Sequence, residues 1–430
     1  MRIVKLTEKT RENILSGLLK RNPSQYSEYE GTVREILDKV RTEGDKAVFE
    51  YTLKFDKCEL TPENVRVTQA EIDEAFNSFD KDLIGVMERA AENIRRYHEK
   101  QKQNSWIDTK EEGIILGQKI TPIGTVGVYV PGGKAAYPSS TLMNIIPASV
   151  AGVNRIVMTT PAGADGRVYP GTLVAAKIAG VHEIYKIGGA QAIAAMAYGT
   201  GSIPKVDKIV GPGNIFVTLA NKAVLGNVSI DSVAGPSEIL VIADETADPR
   251  YVAADLLSQA EHDELASAIL ITTSEELAKK VDIEVERFTK TLERRDIILK
   301  SLDNYGYILI ADNIDDACDT ANEIASEHLE LMTRDAFNVM TKIRNAGAIF
   351  IGEHSIAPLG DYFAGPNPVL PTNGTAKFFS PLGVDAFIKR SSIISYSRDA
   401  LEPVADDIIA FANAEGLTAH ANSIKVRFNK

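Results

Sequence analysis

The spacing of hydrophobic positions changes character along this chain. Through the first hundred residues it is helical: Val33, Ile36, Leu37 and Val40 recur on one face of a predicted helix. Segments 32–35 (TVRE) and 68–71 (TQAE) both match the capping box, in which a hydroxyl and a carboxylate satisfy the first free N–H groups. From about Val126 short apolar runs take over, at 126–130, 155–158, 184–187 and 208–210, most of them ending in Gly or Pro. Helical stretches at 172–179 and 190–198 separate these runs, and strand–helix alternation of this kind predicts a parallel α/β architecture. A second alternation follows, with strands at 239–242, 268–271 and 348–351 and a helix opened by Asp248 as N-cap and Pro249 at its first position. Residues 104–117 read as a polar connection with a short strand, the chain after Gly352 as a Gly/Pro-rich loop, and the tail from Asp399 as helical.

The expected fold is two Rossmann-like parallel-sheet domains with a helical N-terminal region and a helical C-terminal tail. Its divisions fall at residues 1–125, 126–236, 237–380 and 381–430. At 430 residues the chain is too long for one typical core. A formal net charge of −12 without a basic run argues against nucleic-acid and anionic-membrane partners. No stretch is long and apolar enough to span a bilayer, and no apolar leader follows Met1. Cys58 and Cys318 are the only cysteines and do not form a C-x-x-C pair, so thiolate zinc sites and a disulfide scaffold are not expected. A soluble, cytoplasmic protein fits these properties.

Candidate chemistry is concentrated downstream. Gln259 and His262 stand three apart near the end of a predicted helix, a spacing that places an amide oxygen and an imidazole on one face. An adjacent Glu327–His328 pair, Asp361 in the Gly/Pro-rich loop and His420 near the C-terminus complete a mixture of neutral nitrogen and hard oxygen donors. Taken singly, a Gln or His near a helix end is more often a surface residue than a ligand. His98 and His182 read as structural or solvated, and His354 stays open. The Gly-rich segments are poor matches to phosphate-binding fingerprints. In 127–134 an extra glycine precedes Lys134 and Ala135 replaces the Ser/Thr of a P-loop; in 211–216 Phe216 replaces a third glycine. Tight turns are their default reading. Gly188–Gly189 and Gly211–Pro212–Gly213 nevertheless open helices, whose N-termini favour phosphate.

Taken in order, several segments resemble histidinol dehydrogenases: VGVYVPGGKAAYPSST from Val126, KIGGAQAIAA from Lys186, IVGPGN from Ile209, AGPSEILVIAD from Ala234 and ADLLSQAEHDE from Ala254. The likeness continues through EHLE from Glu327, GDYFAG from Gly360 and EGL from Glu415 with His420, and covers nearly the whole chain. It implies a homodimer that oxidises L-histidinol through an aldehyde to L-histidine with two NAD⁺ and a bound Zn²⁺. Matched motif by motif, Gln259, His262, Asp361 and His420 would bind zinc, and these with Ser237, His328 and Glu415 would contact substrate. Glu327 and His328 would be the acid–base pair, and Tyr129, Gln191 and Asn214 would contact NAD. The C-terminal tail would cross over, so that Glu415 and His420 complete the partner's site.

Chemistry and resemblance agree on an oxygen-rich, thiolate-free ion that orients substrate. His328 could take a hydroxyl proton and Glu327 could deprotonate a water. One departure matters: Pro368 stands where the family usually carries a pocket histidine, and proline has neither imidazole nor backbone N–H. The same-class alternative is therefore a related dehydrogenase of another small polar alcohol. A zinc hydrolase would not need the Gln191 and Asn214 turns, and a metal-stabilised scaffold leaves Glu327–His328 unexplained.

Overall fold

The computed structural model describes residues 1–19, 27–132, 138–233 and 235–428. Strand β1 (Arg2–Lys5) opens the chain and helices then run to Glu99. Strands β2 (Trp106–Asp108) and β3 (Ile114–Pro122) lead into the first alternating region, with β4 (Thr125–Tyr129), β5 (Arg155–Thr159), β6 (Ile184–Tyr185), β7 (Lys208–Val210) and β8 (Ser229–Ile230). The second region carries β9 (Glu238–Ala243), β10 (Ser267–Thr272), β11 (Gly306–Ile310), β12 (His328–Met332) and β13 (Ala348–Ile351), and β14 (Ile388–Tyr396) follows.

Residues 1–101 and 123–387 form one compact unit. It holds two sheets, β6-β5-β4-β7-β8 and β1-β11-β10-β9-β12-β13, in which every pairing is parallel. Residues 102–122 and 388–430 form a second unit, built on the antiparallel sheet β14-β3-β2 and the C-terminal helices. The expected α/β class with helical ends is therefore found.

Local sequence explains the elements. Thr68 accepts from the Glu71 N–H while Glu71 reaches back to the Thr68 N–H, so the second capping box opens the helix Gln69–Ser78. The first does not cap anything. Its helix starts earlier, at Ser27, and Thr32 lies inside it, so the motif falls on ordinary helical turns. Val33, Ile36, Leu37 and Val40 are all buried, as their period requires. Asp248 caps the helix Pro249–Ala260 by accepting from the Arg250 N–H.

Alternation along the central strands of the second sheet divides its core. Ile239, Val241 and Ala243 of β9 join the cluster under the helix Pro249–Ala260, whereas Leu240 and Ile242 join the cluster on the other face. In β12 Leu329 and Leu331 take that second face and Met332 the first. His328 and Glu330, in step with Met332, thus point toward the helix Pro249–Ala260.

Strands β1, β8, β11, β12 and β14 lay outside the expectation, and the first and last show why. β1 is four residues long and mostly exposed, and it pairs with β11, about three hundred positions downstream, so no local pattern announces it. β14 begins with the polar run KRSS after Ile388, and both its faces keep exposed residues, which hides its period.

Candidate active site

The candidate cofactor residues gather where the first sheet meets its helices. Tyr129 ends β4, and its hydroxyl accepts from the Gly189 N–H at 3.2 Å. Burial pushes the Tyr129 phenol up to about 12, so it stays neutral. Gln191 sits in the first turn of the helix Gly189–Tyr198, 1% exposed, and neither atom of its amide has a protein partner. Two unsatisfied amide atoms at a buried helix start are costly unless a ligand or water uses them. Asn214 caps the helix Ile215–Val224; its oxygen accepts from the Phe216 and Val217 N–H groups, leaving the amide nitrogen for a ligand. Gly211 has φ +121°, and a Cβ there would lie 2.1 Å from the Tyr129 carbonyl oxygen, so only glycine lets this turn pass β4. These positions lie at the carboxyl ends of parallel strands, where open α/β sheets bind ligands. Gly127, by contrast, lies inside β4, and a Cβ on it would meet Met196 Sδ at 2.7 Å. It is a packing glycine, and the end of that P-loop-like segment, Gly133 and Lys134, lies with Ala135 outside the described residues.

The candidate catalytic residues gather at the opposite, amino ends of β9 and β12. Register pairs His328 with Ile239, which sets Glu327 beside Glu238. The two glutamates lock this edge reciprocally: Glu327 Oε2 accepts from the Glu238 N–H at 2.9 Å, and Glu238 Oε2 from the Glu327 N–H at 3.4 Å. His328 Nδ1 lies 3.0 Å from the Glu238 carbonyl oxygen, so this nitrogen carries a proton and Nε2 is the free base of the neutral ring. Nε2 is buried, lacks a hydrogen-bond partner and faces Asp361 Oδ1 at 3.8 Å. The ring stacks near Phe350, with 6.0 Å between centroids.

Gln259, in the last turn of its helix and 1% exposed, brings Nε2 to 3.4 Å from His328 Nδ1, while its Oε1 is buried without a partner. The helix ends at Ala260, so His262 reaches the site from the following turn, where its N–H donates to the Gln259 carbonyl, rather than from the same helical face. Parts of His262 are exposed, yet the protein packed around its ring disfavours charge and lowers its pKa despite attraction from Asp361. Asp361 belongs to a short helix, Ala357–Tyr362, and not to a loop; the Pro358 that suggested a loop occupies one of the first helical positions, where proline is tolerated.

Burial raises Glu327 to about 7 against the pull of His328. For His328 burial opposes charge, but the Glu327 and Asp361 carboxylates outweigh it and raise the imidazole to about 9. Ser237, just before β9, accepts through its carbonyl from the Ser267 N–H. Pro368 is half-buried between Asn367, whose amide donates to the Met143 carbonyl at 2.6 Å, and Val369. Glu415 and His420 belong to the second unit, at and after the end of the helix Ala405–Ala414, and both are exposed. His98 is a buried structural residue, with Nδ1 2.8 Å from the Ile94 carbonyl, and His354 is exposed beside Glu353.

Among the described residues no three His, Cys, Asp or Glu side chains converge as a ready metal site. His262 and Asp361 are two of that kind, and Gln259 is an amide. The donor set still fits a borderline cation, because the orphaned Gln259 oxygen is an acceptor buried with nothing to accept from. Sequence reasoning missed Glu238, Asp255 and Glu330. A charged residue inside a run that reads as a buried strand, such as Glu330 two places after His328, was the available signal.

A family model for histidinol dehydrogenase matches residues 19–428. The chain belongs to the histidinol dehydrogenase family. The histidinol dehydrogenase of Clostridium acetobutylicum is 55% identical over 97% of this chain and 96% of its own, and that of Aquifex aeolicus 56% identical over 96% of both. A crystal structure of the Elizabethkingia anophelis histidinol dehydrogenase, 38% identical, superposes with a TM-score of 0.94 over 100% of this chain and 98% of that one. Membership makes the chain an oxidoreductase of histidine biosynthesis and removes the hydrolase and scaffold readings. Among the described residues no helix is long and apolar enough to cross a membrane.

Proposed function

We propose that this family member oxidises L-histidinol through L-histidinal to L-histidine in the cytoplasm, using two NAD⁺ and one Zn²⁺. The observation that carries the reading is a pair of buried atoms on adjoining side chains without hydrogen-bond partners, Gln259 Oε1 and His328 Nε2, the second of them 3.8 Å from Asp361 Oδ1. One calls for a cation and the other for a proton. Gln259, His262 and Asp361, with His420 from a partner subunit, would hold the ion. When bound, it would anchor the substrate amine and imidazole, and its charge would favour the neutral form of His328.

The chain's own groups then divide the work. His328 Nε2 takes the alcohol proton as hydride leaves the carbon for NAD⁺. Glu327, buried and raised toward neutrality, takes a proton from the water that attacks the aldehyde; His328 again accepts a proton as the second hydride leaves. Ser237 and Glu415 contact substrate, and Tyr129, Gln191 and Asn214 contact NAD. On this reading residues 126–236 bind NAD, residues 237–380 carry metal and catalytic groups, and residues 381–430 cross to the partner of a homodimer. The second unit supports the last point with large exposed apolar side chains, including Ile107, Ile394 and Phe411 at 63%, 73% and 72%.

The test is metal content. His262→Asn and Asp361→Ala should lose zinc and activity together while circular dichroism stays native, because the remaining ligands bind weakly. Full zinc occupancy in either variant contradicts the assignment.

The same-class alternative rests on Pro368. It predicts that wild-type protein leaves histidinol untouched but oxidises another polar alcohol.

A further inference from the structure

Directly beneath this site lie two carboxyl groups that the proposed chemistry does not use. Glu330, on β12, is fully buried, and Asp255, on the helix Pro249–Ala260, is 7% exposed. Their carboxyl groups lie close enough to act on each other, and Asp255 Oδ2 and Glu330 Oε2 are both buried with no hydrogen-bond partner. Two facing carboxylates cannot both be charged in such a place, so the pair holds a shared proton. Burial raises both groups, Asp255 to about 6 and Glu330 well above its ordinary value.

The placement is what gives the pair a role. His328 and Glu330 are two apart on a strand and share a face, and Asp255 and Gln259 are four apart on a helix and share a face. Two strand steps and four helical steps both cover about 6 Å, so the elements meet in two matching rungs. The upper rung is Gln259 with His328, at 3.4 Å, and the lower rung is Asp255 with Glu330. Glu330 makes a third connection. Its Oε1 accepts at 3.0 Å from the N–H of Ala357, the first residue of the helix that carries Asp361. That helix has no side-chain cap from its own N-cap residue, Ile356, so Glu330 supplies the missing acceptor at its positive end. One buried carboxyl pair therefore ties together the helix bearing Gln259, the strand bearing His328 and the helix bearing Asp361.

We propose that Asp255 and Glu330 are positioning residues, a carboxyl pair that sets the spacing of Gln259, His328 and Asp361 and so preorganises the cation site. The inference rests on the proposed metal reading and concerns how that site is held. An isosteric amide can replace the shared proton: in Glu330→Gln the new N–H₂ donates to Asp255 while the oxygen still accepts from Ala357. A leucine of similar volume cannot make either bond.

The experiment is Zn²⁺ affinity, measured by chelator competition on purified full-length protein, with melting temperature recorded on the metal-free form. Asp255→Leu and Glu330→Leu should weaken Zn²⁺ binding about tenfold or more, and Glu330→Gln should stay within about threefold of wild type. Gln259→Ala serves as the control for the site itself. If it binds Zn²⁺ as wild type does, the metal reading fails, and this inference with it. If Gln259→Ala loses zinc but both leucine variants bind it at wild-type affinity and merely melt lower, the pair is structural and the positioning role is wrong. Should Glu330→Leu not fold, Asp255→Leu, which leaves the Ala357 contact in place, decides between these outcomes.

Discussion

At the scale of single residues, the proposed mechanism gives the two neighbours Glu327 and His328 separable duties. On the proposed chemistry His328 Nε2 is the base for both hydride transfers, so His328→Asn should slow alcohol and aldehyde oxidation alike, by about 10²–10⁴-fold. Glu327→Gln keeps the side chain's shape and an oxygen for the Glu238 N–H, but cannot accept a proton from water. Aldehyde oxidation should then suffer more than alcohol oxidation when the two half-reactions are assayed separately; equal damage contradicts the division. Pro368 makes a subtler forecast. Restoring an imidazole with Pro368→His should lower KM for histidinol with little change in kcat, a gain of about 1–2 kcal/mol in binding made equally in ground and transition states. Residues of this kind were legible because their types are chemically committed and their family motifs stand in order. The pairing Asp255–Glu330 was not, since a long-range contact between two carboxyls leaves no trace in local spacing.

At the scale of elements, Glu71 links helix and sheet. It closes the capping box with Thr68 and also accepts from Lys186 Nζ at 2.6 Å, just after β6. Thr68→Ala should cost about 1 kcal/mol, read as a lower denaturation midpoint. Burial works against the Glu71 charge, but hydrogen bonds from Lys186 and the Thr68 backbone outweigh it and lower the pKa. A lowered carboxyl pKa stabilises the fold fully above the ordinary glutamate value and fades as pH falls through the folded one. Glu71→Gln should therefore flatten the acid side of a melting-temperature profile, and an unchanged slope would remove Glu71 from that account. The same scale shows why the sequence yielded most strands and not all. Central strands such as β9 and β10 are buried on both faces and read as largely apolar runs, whereas His328 and Glu330 break that pattern in β12. β1 and β14 are exposed, polar in part, and defined only by distant partners. The box at Thr32 misled because its S/T-x-x-E pattern recurs by chance inside helices.

For the whole molecule, the central claim joins three expectations: zinc, NAD and a four-electron oxidation of histidinol in a site shared between subunits. Sharing has its own test. Inactive His262→Asn chains mixed with inactive His420→Asn chains should recover activity through the one repaired site of each heterodimer, and no recovery after demonstrated subunit exchange would make the sites intramolecular. The most direct measurement follows NADH absorbance when limiting L-histidinol is added to zinc-loaded wild-type protein with excess NAD⁺. The account predicts two NADH formed for each histidinol consumed, L-histidine as the product, and loss of the signal in Asp361→Ala. Release of one NADH with accumulation of aldehyde, or no oxidation of histidinol by a protein that turns over another polar alcohol, would contradict it.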